Sequence, residues 1–119
     1  MAWDIEYTNE FDDWWEQLND SEQNDIVAVV NLLEEKGTSL GYPHSSGING
    51  SKYPKMRELR VQSKGTPIRI FYCFDPRRTA ILLIGGDKTG NNRFYEEYIP
   101  IADRLYETYL DELRQEGLL

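Results

Sequence analysis

The chain holds 119 residues, enough for one compact domain with its own core and too few for two. Its 13 Lys and Arg against 21 Asp and Glu give a net charge of -8, which argues against binding nucleic acid through overall charge. No apolar run approaches the ~20 residues that span a bilayer. The start MAWDIEYTNEF is acidic and lacks the basic-then-apolar pattern of a targeting signal, so a cytoplasmic protein without membrane contact is expected.

In chain order, AWDIEY alternates Trp3 and Ile5 with charged residues and predicts a short strand. TNEFDDWWEQLN places Phe11, Trp14, Trp15 and Leu18 at i, i+3, i+4 and i+7, one face of a helix. Thr8 or Asn9 would cap it, with acidic residues in the first turn. A second helix carries Ile26, Val29, Val30 and Leu33 on one face and stops at Gly37. The two predict a helical hairpin. The tryptophans suit a stacking platform for bases, but aromatic residues at helical spacing usually belong to the core, and a place in the core is expected.

Residues 37–54, rich in Gly, Ser and Pro, read as a surface loop. The loop holds the only histidine, His44, which has no partner marked by spacing for acid-base work and no companions for a metal site. KMRELRVQ, PIRIFYCF and AILLIGG then predict three strands joined by SKGT and DPRRT. Links that short force antiparallel pairing. The single cysteine, Cys73, lies in the middle strand and reads as a small buried hydrophobe. YIPIADRLYETYLDELRQEG predicts a last helix with Pro100 in its first turn and Ala102, Leu105, Tyr106, Tyr109, Leu110 and Leu113 on one stripe. The expected fold is α+β over residues 1–119: an antiparallel sheet of about four strands, an N-terminal helical hairpin and a C-terminal helix.

Charge is segregated along the chain. Residues 51–93 carry ten Lys or Arg against Glu58, Asp75 and Asp87, a balance of +7, so the flanks carry -15. Within KMRELRVQ, alternation sends Arg57, Leu59 and Val61 to one face and Met56, Glu58, Arg60 and Gln62 to the other. Arg69 shares a face with Phe71 and Cys73. An arginine amid apolar strand residues is costly without an anion, so Arg60 and Arg69 need partners. Glu58 is the local candidate for a structural ion pair, and phosphate is the functional candidate.

Beyond AILLIGG the chain reads DKTG, the phosphorylation signature of P-type pumps, but a chain of this size has no room for a pump. The order of Gly and Lys is also wrong for a Walker loop. Gly85 and Gly86 read as the point where the chain leaves the sheet, and Asp87 as a turn residue. What remains is Arg60, Arg69 and Lys88 near Tyr95, with Lys55, Arg57 and Arg93 as further basic residues to hold RNA. Without clustered metal ligands or any cofactor motif, such a group suits metal-independent attack of an RNA 2′-hydroxyl on its own phosphate.

ELRVQSKGTPIRIFYCFDPRRTAILLIGGDKTG resembles the central block of the RelE/ParE superfamily of toxins from type II toxin–antitoxin pairs, nearest to its HigB-like branch. The resemblance rests on Glu58-Leu59-Arg60, a Gly-containing turn, Arg69 in an apolar strand, and an apolar strand that ends in a lysine. FYEEYIPIADRLYETYL occupies the place of the family's last helix. It implies an endoribonuclease that cuts mRNA in the decoding site of the ribosome, inhibits translation, needs no metal or cofactor, and is silenced by a cognate antitoxin, often a helix-turn-helix DNA-binding protein. Carried over, Arg60 and Arg69 would bind the phosphate or its transition state, Lys88 would be the catalytic cation, and Tyr95 a catalytic tyrosine that stacks on a base. RelE proper has lysines before the Leu-Arg pair, where this chain has Met56 and Glu58. The alternatives are a ParE-like protein that inhibits gyrase, and a non-catalytic member of the superfamily.

Overall fold

The computed structural model describes residues 2–119. Its elements run β1 (Ile5–Tyr7), α1 (Asn9–Glu16), α2 (Asp20–Lys36), a 3-10 turn at Gly37–Ser39, β2 (Ser45–Gly47), β3 (Arg57–Ser63), β4 (Thr66–Phe74), β5 (Ala80–Asp87) and α3 (Phe94–Gln115). The α+β class and the helical hairpin are as expected. Thr8 caps α1 by accepting from the Phe11 amide at 3.0 Å, while its own hydroxyl donates to the Leu83 carbonyl at 2.6 Å. One side chain thus starts the helix and pins it to β5. A reciprocal Asn19–Glu22 box starts α2.

The sheet differs from expectation in two respects. It has five strands, in the order β1-β5-β4-β3-β2, and it is mixed, because β1 pairs parallel to β5 with Ile5 opposite Ala80. Antiparallel pairing holds for the other neighbours, as the short turns require. The fifth strand, β2, lies inside the segment read as loop. It consists of two serines and a glycine, which carry no apolar alternation, and it forms because β3 offers an edge: Ser46 sits opposite Glu58.

Two apolar layers sandwich the sheet. Leu59, Val61, Ile68, Ile70 and Leu82 face α1 and α2, where Phe11, Ile26 and Leu33 bury and Trp14 and Trp15 pack against them. Phe71, Cys73, Ile81 and Leu83 face α3. The tryptophans belong to the core, and Cys73 is buried. α3 begins one turn before the predicted Tyr98, so Pro100 lies inside the helix. Phe94 and Tyr98 stack at 4.3 Å between centroids and lie over Phe71; this aromatic contact with the sheet carries the helix back past Pro100.

Gly85 and Gly86 do not release the chain from the sheet. Both are within β5, opposite Ile70 and Arg69. A Cβ on Gly85 would lie 2.3 Å from the Trp14 ring, and one on Gly86 would lie 2.7 Å from the Tyr98 ring, so each glycine admits an aromatic from one face. Just before them is a β-bulge. Phe71 pairs with Ile84 and Tyr72 with Leu82, which leaves Leu83 as the extra residue. Leu83 and Ile84 consequently both face α3, and alternation is reversed from there on.

Candidate functional site

On the α3 face, Arg60 of β3 stands directly opposite Arg69 of β4. Like charges in that register repel, and Glu58, two residues back along β3, lies between them and the start of α3. Its carboxylate accepts from Arg60 at 3.2 Å, Ser46 at 2.8 Å and the Tyr95 hydroxyl at 2.7 Å. Both Glu58 and Arg69 are buried. The Arg69 Nε lies 3.7 Å from Glu58, inside ion-pair range but beyond hydrogen-bond reach. One of its terminal nitrogens donates to the Ile68 carbonyl at 3.0 Å, and Nε is the one buried side-chain nitrogen or oxygen among the described residues with no partner. A buried guanidinium N–H left free has the capacity to donate to a further acceptor, such as an anion.

Lys88 completes the group. Its ammonium lies 5.3 Å from the centre of the Tyr95 ring, over its face, and its amide donates to the Pro67 carbonyl at 3.0 Å. Its orientation follows from the bulge. With unbroken alternation Ile81, Leu83, Gly85 and Asp87 would share the α3 face, and Lys88 would point away. With the extra residue Asp87 falls opposite Ile68, on the far face, and accepts from the Thr89 amide at 2.8 Å as a turn residue. Lys88 is delivered to the cations.

Tyr95 is held by edge contacts with Phe71 and Phe94. Burial, and then its hydrogen bond to Glu58, push the phenol above its ordinary value, only partly opposed by Arg69. The phenol therefore keeps its proton and serves as a donor. Beside Glu58 and Tyr95 opens a hollow of about 280 Å³ walled by Gly47, Ile48 and Asn49. Three cations against one carboxylate give the site a net positive charge within an acidic protein.

The four residues expected to carry the chemistry, Arg60, Arg69, Lys88 and Tyr95, are thus brought together. The three expected to hold RNA are not with them. Arg57 lies on the α2 face, where its Nε donates to Ser45 at 3.0 Å. Lys55 lies in the turn before β3, with its charge near Cys73. Arg93 is exposed and bound to Glu96 at 3.0 Å. Glu58 was legible as an ion-pair partner, and it proves to be the hub. Ser46 carried no signal, since β2 had none.

A five-stranded mixed sheet with a helical hairpin on one face and a long helix on the other is the RelE fold. The isolated E. coli RelE toxin superposes with a TM-score of 0.59 at 11% identity, over 84% of this chain and 99% of that one. RelE in the intact E. coli RelBE toxin–antitoxin complex gives 0.56 at 10% identity, over 71% and 95%. A family profile described as Phage derived protein Gp49-like matches residues 13–107. The chain is 45% identical over 98 residues to a Mycobacterium tuberculosis protein designated candidate toxin HigB3, covering 82% of this chain and 84% of that protein. It is 36% identical over 99 residues to candidate toxin HigB2 of the same organism, of which it spans about half, 49%. The chain belongs to the Gp49-like family, in the HigB-like branch of the RelE/ParE superfamily of toxins.

Proposed function

We propose that the chain is an endoribonuclease that cuts mRNA by intramolecular transesterification and thereby inhibits translation. The observation that carries this reading is the buried Arg69 with its unpartnered Nε, set opposite Arg60 and beside Glu58, Tyr95 and Lys88. In the proposed reaction Glu58 accepts the proton of a ribose 2′-hydroxyl, whose oxygen bonds to the adjacent phosphorus. Arg60 and Arg69 hold the non-bridging oxygens as charge builds. The bond from phosphorus to the 5′-oxygen breaks, and Lys88 or Tyr95 supplies the proton to that oxygen. The products are a 2′,3′-cyclic phosphate and a 5′-hydroxyl, and the step uses neither metal nor cofactor.

The net charge of -8 disfavours tight binding of free RNA, which supports delivery of the substrate by the ribosome, and with it a cytoplasmic site of action. A cognate antitoxin, expected to be a helix-turn-helix protein, is the natural partner of a chain with this fold, which the RelBE complex also contains.

The test is expression of the wild-type chain and of Lys88→Ala in growing cells, with mRNA ends mapped on translating ribosomes. New ends with wild type and none with the variant are expected. Growth arrest by the wild type without new ends would overturn the reading and favour the gyrase-inhibiting alternative, which an assay of gyrase supercoiling would then detect.

A further inference from the structure

We infer that the groove alongside Arg60 and Arg69 seats a nucleobase next to the phosphate those arginines hold, with Tyr42 as its stacking surface. The inference rests on the ribonuclease reading and adds a substrate subsite to it. The groove has a volume of about 580 Å³ and runs from Tyr42 and His44 past the two arginines to Gln62 and Asp25, a size usual for clefts that take small ligands. It lies two residues along β3 from the hollow at Glu58.

Tyr42 is the observation that points to a ligand. At 78% exposure it is the most exposed of the large hydrophobic side chains among the described residues, yet its loop is anchored at both ends. Leu40 is buried before it. After it, buried Ser45 is hydrogen-bonded to the Tyr72 hydroxyl at 2.6 Å and the Arg57 guanidinium at 3.0 Å. Between these anchors the His44 and Ser45 amides both donate to the Gly41 carbonyl, and the Arg60 amide donates to the His44 carbonyl at 2.8 Å. An aromatic ring held in water by a fixed loop contributes nothing to the core.

The ring has one close neighbour of relevant chemistry. The Arg60 guanidinium lies over it, 5.4 Å from the centroid, while also reaching Glu58. Stacking surface and phosphate-binding cation therefore adjoin each other as base and phosphate do within a nucleotide. Every base has a π face, so a tyrosine platform is sequence-tolerant. At the other end of the groove Asp25 accepts from Ser63 at 2.6 Å, and with the Gln62 amide it offers polar groups to a base edge.

The experiment measures binding of the wild-type protein, Tyr42→Ala and Tyr42→Phe to ribosomes programmed with a 2′-O-methyl mRNA, which lacks the nucleophile and is not cut, with an abasic residue placed at each codon position in turn. Tyr42→Ala is expected to weaken binding roughly 10-fold, within the range for one base–aromatic stack, and Tyr42→Phe to preserve it. One abasic position should weaken the wild type equally and leave Tyr42→Ala unaffected. The subsite is overturned if Tyr42→Ala binds like wild type, if its deficit persists at every abasic position, or if the wild type shows no saturable binding. Tyr42-dependent binding by a protein that cuts no mRNA sinks the nuclease reading alone; cleavage without Tyr42 dependence sinks the subsite alone.

Discussion

Arg60 and Arg69 face each other across neighbouring strands, and Glu58 is the carboxylate that lets them do so. Glu58→Gln keeps the shape and removes the charge, leaving two opposed guanidinium groups, one of them buried. Stability is expected to fall by about 3 kcal/mol, the low end for breaking a buried pair, as read from urea denaturation. Millimolar sulfate should then raise the midpoint of the variant more than that of the wild type. A loss under about 1 kcal/mol with no sulfate response would show that the arginines do not depend on Glu58.

Lys88 is half-buried and touches the site through the face of Tyr95. Lys88→Ala should change stability by less than about 0.5 kcal/mol, as for other surface changes, while ribosome-dependent cleavage falls by about 10²- to 10³-fold. Quantitative primer extension on a single mRNA gives the rate. Retention of more than about a tenth of the wild-type rate would remove Lys88 from the chemistry.

Gly85 and Gly86 separate stability from activity. An added methyl on either meets an aromatic ring, so Gly85→Ala and Gly86→Ala should each cost about 1–3 kcal/mol. Gly86→Ala displaces Tyr98 and with it the first turn of α3 that carries Tyr95, so the folded variant should cleave more slowly. Gly85→Ala disturbs Trp14 on the opposite face, and its folded fraction should cleave at the wild-type rate. Equal rates for the two would mean that Tyr98 does not position the site.

A second polar cluster contributes to the response to pH. Glu6 of β1 accepts from Arg77 at 2.9 Å and from the Tyr109 hydroxyl at 2.6 Å, and Arg77 also binds Asp75 at 2.7 Å. The Arg77 hydrogen bond holds the Glu6 carboxyl below its ordinary 4.5, so its contribution is present above that value and lost as pH falls beneath it. Burial, then Glu6, pushes the Tyr109 phenol up; burial does the same first of all to Tyr106. The folded chain keeps protons that the unfolded chain releases near pH ~10, so stability declines as pH rises beyond that point. Urea midpoints measured from about pH 3 to about pH 11 should show both losses. Tyr109→Phe should lessen the alkaline one, to which Cys73, Tyr53, Tyr95 and Tyr106 also contribute, and Glu6→Gln the acid one; an unchanged profile in either variant would refute that assignment.

Periodicity alone located both helices of the hairpin, the three long strands and the stripe of α3, because each buries one continuous face. It also placed Glu58 with Arg60 and set Arg57 on the other side, as found. What it did not reach are pairings that depend on distant residues. β1 is three residues long, and its partner begins at Ala80. β2 exists only by virtue of the β3 edge. The close approach of Trp14 and Tyr98 to adjacent glycines looks, in sequence, like a flexible exit from the sheet. The bulge leaves no trace in AILLIGG, every residue of which is apolar or glycine.

That bulge makes the sign of one charge in the site a matter of parity. Were the same sequence paired without the bulge, Asp87 would stand in place of Lys88 beside Tyr95, an anion for a cation without any substitution. Deletion of Leu83, the extra residue, would instead restore regular alternation and leave Lys88 on its face, because Ile84 and the residues beyond it keep their partners on β4. For relatives whose strands differ in length here, residues that do the same work are those at equal distance from the strand's end, and counting from its beginning pairs the wrong ones.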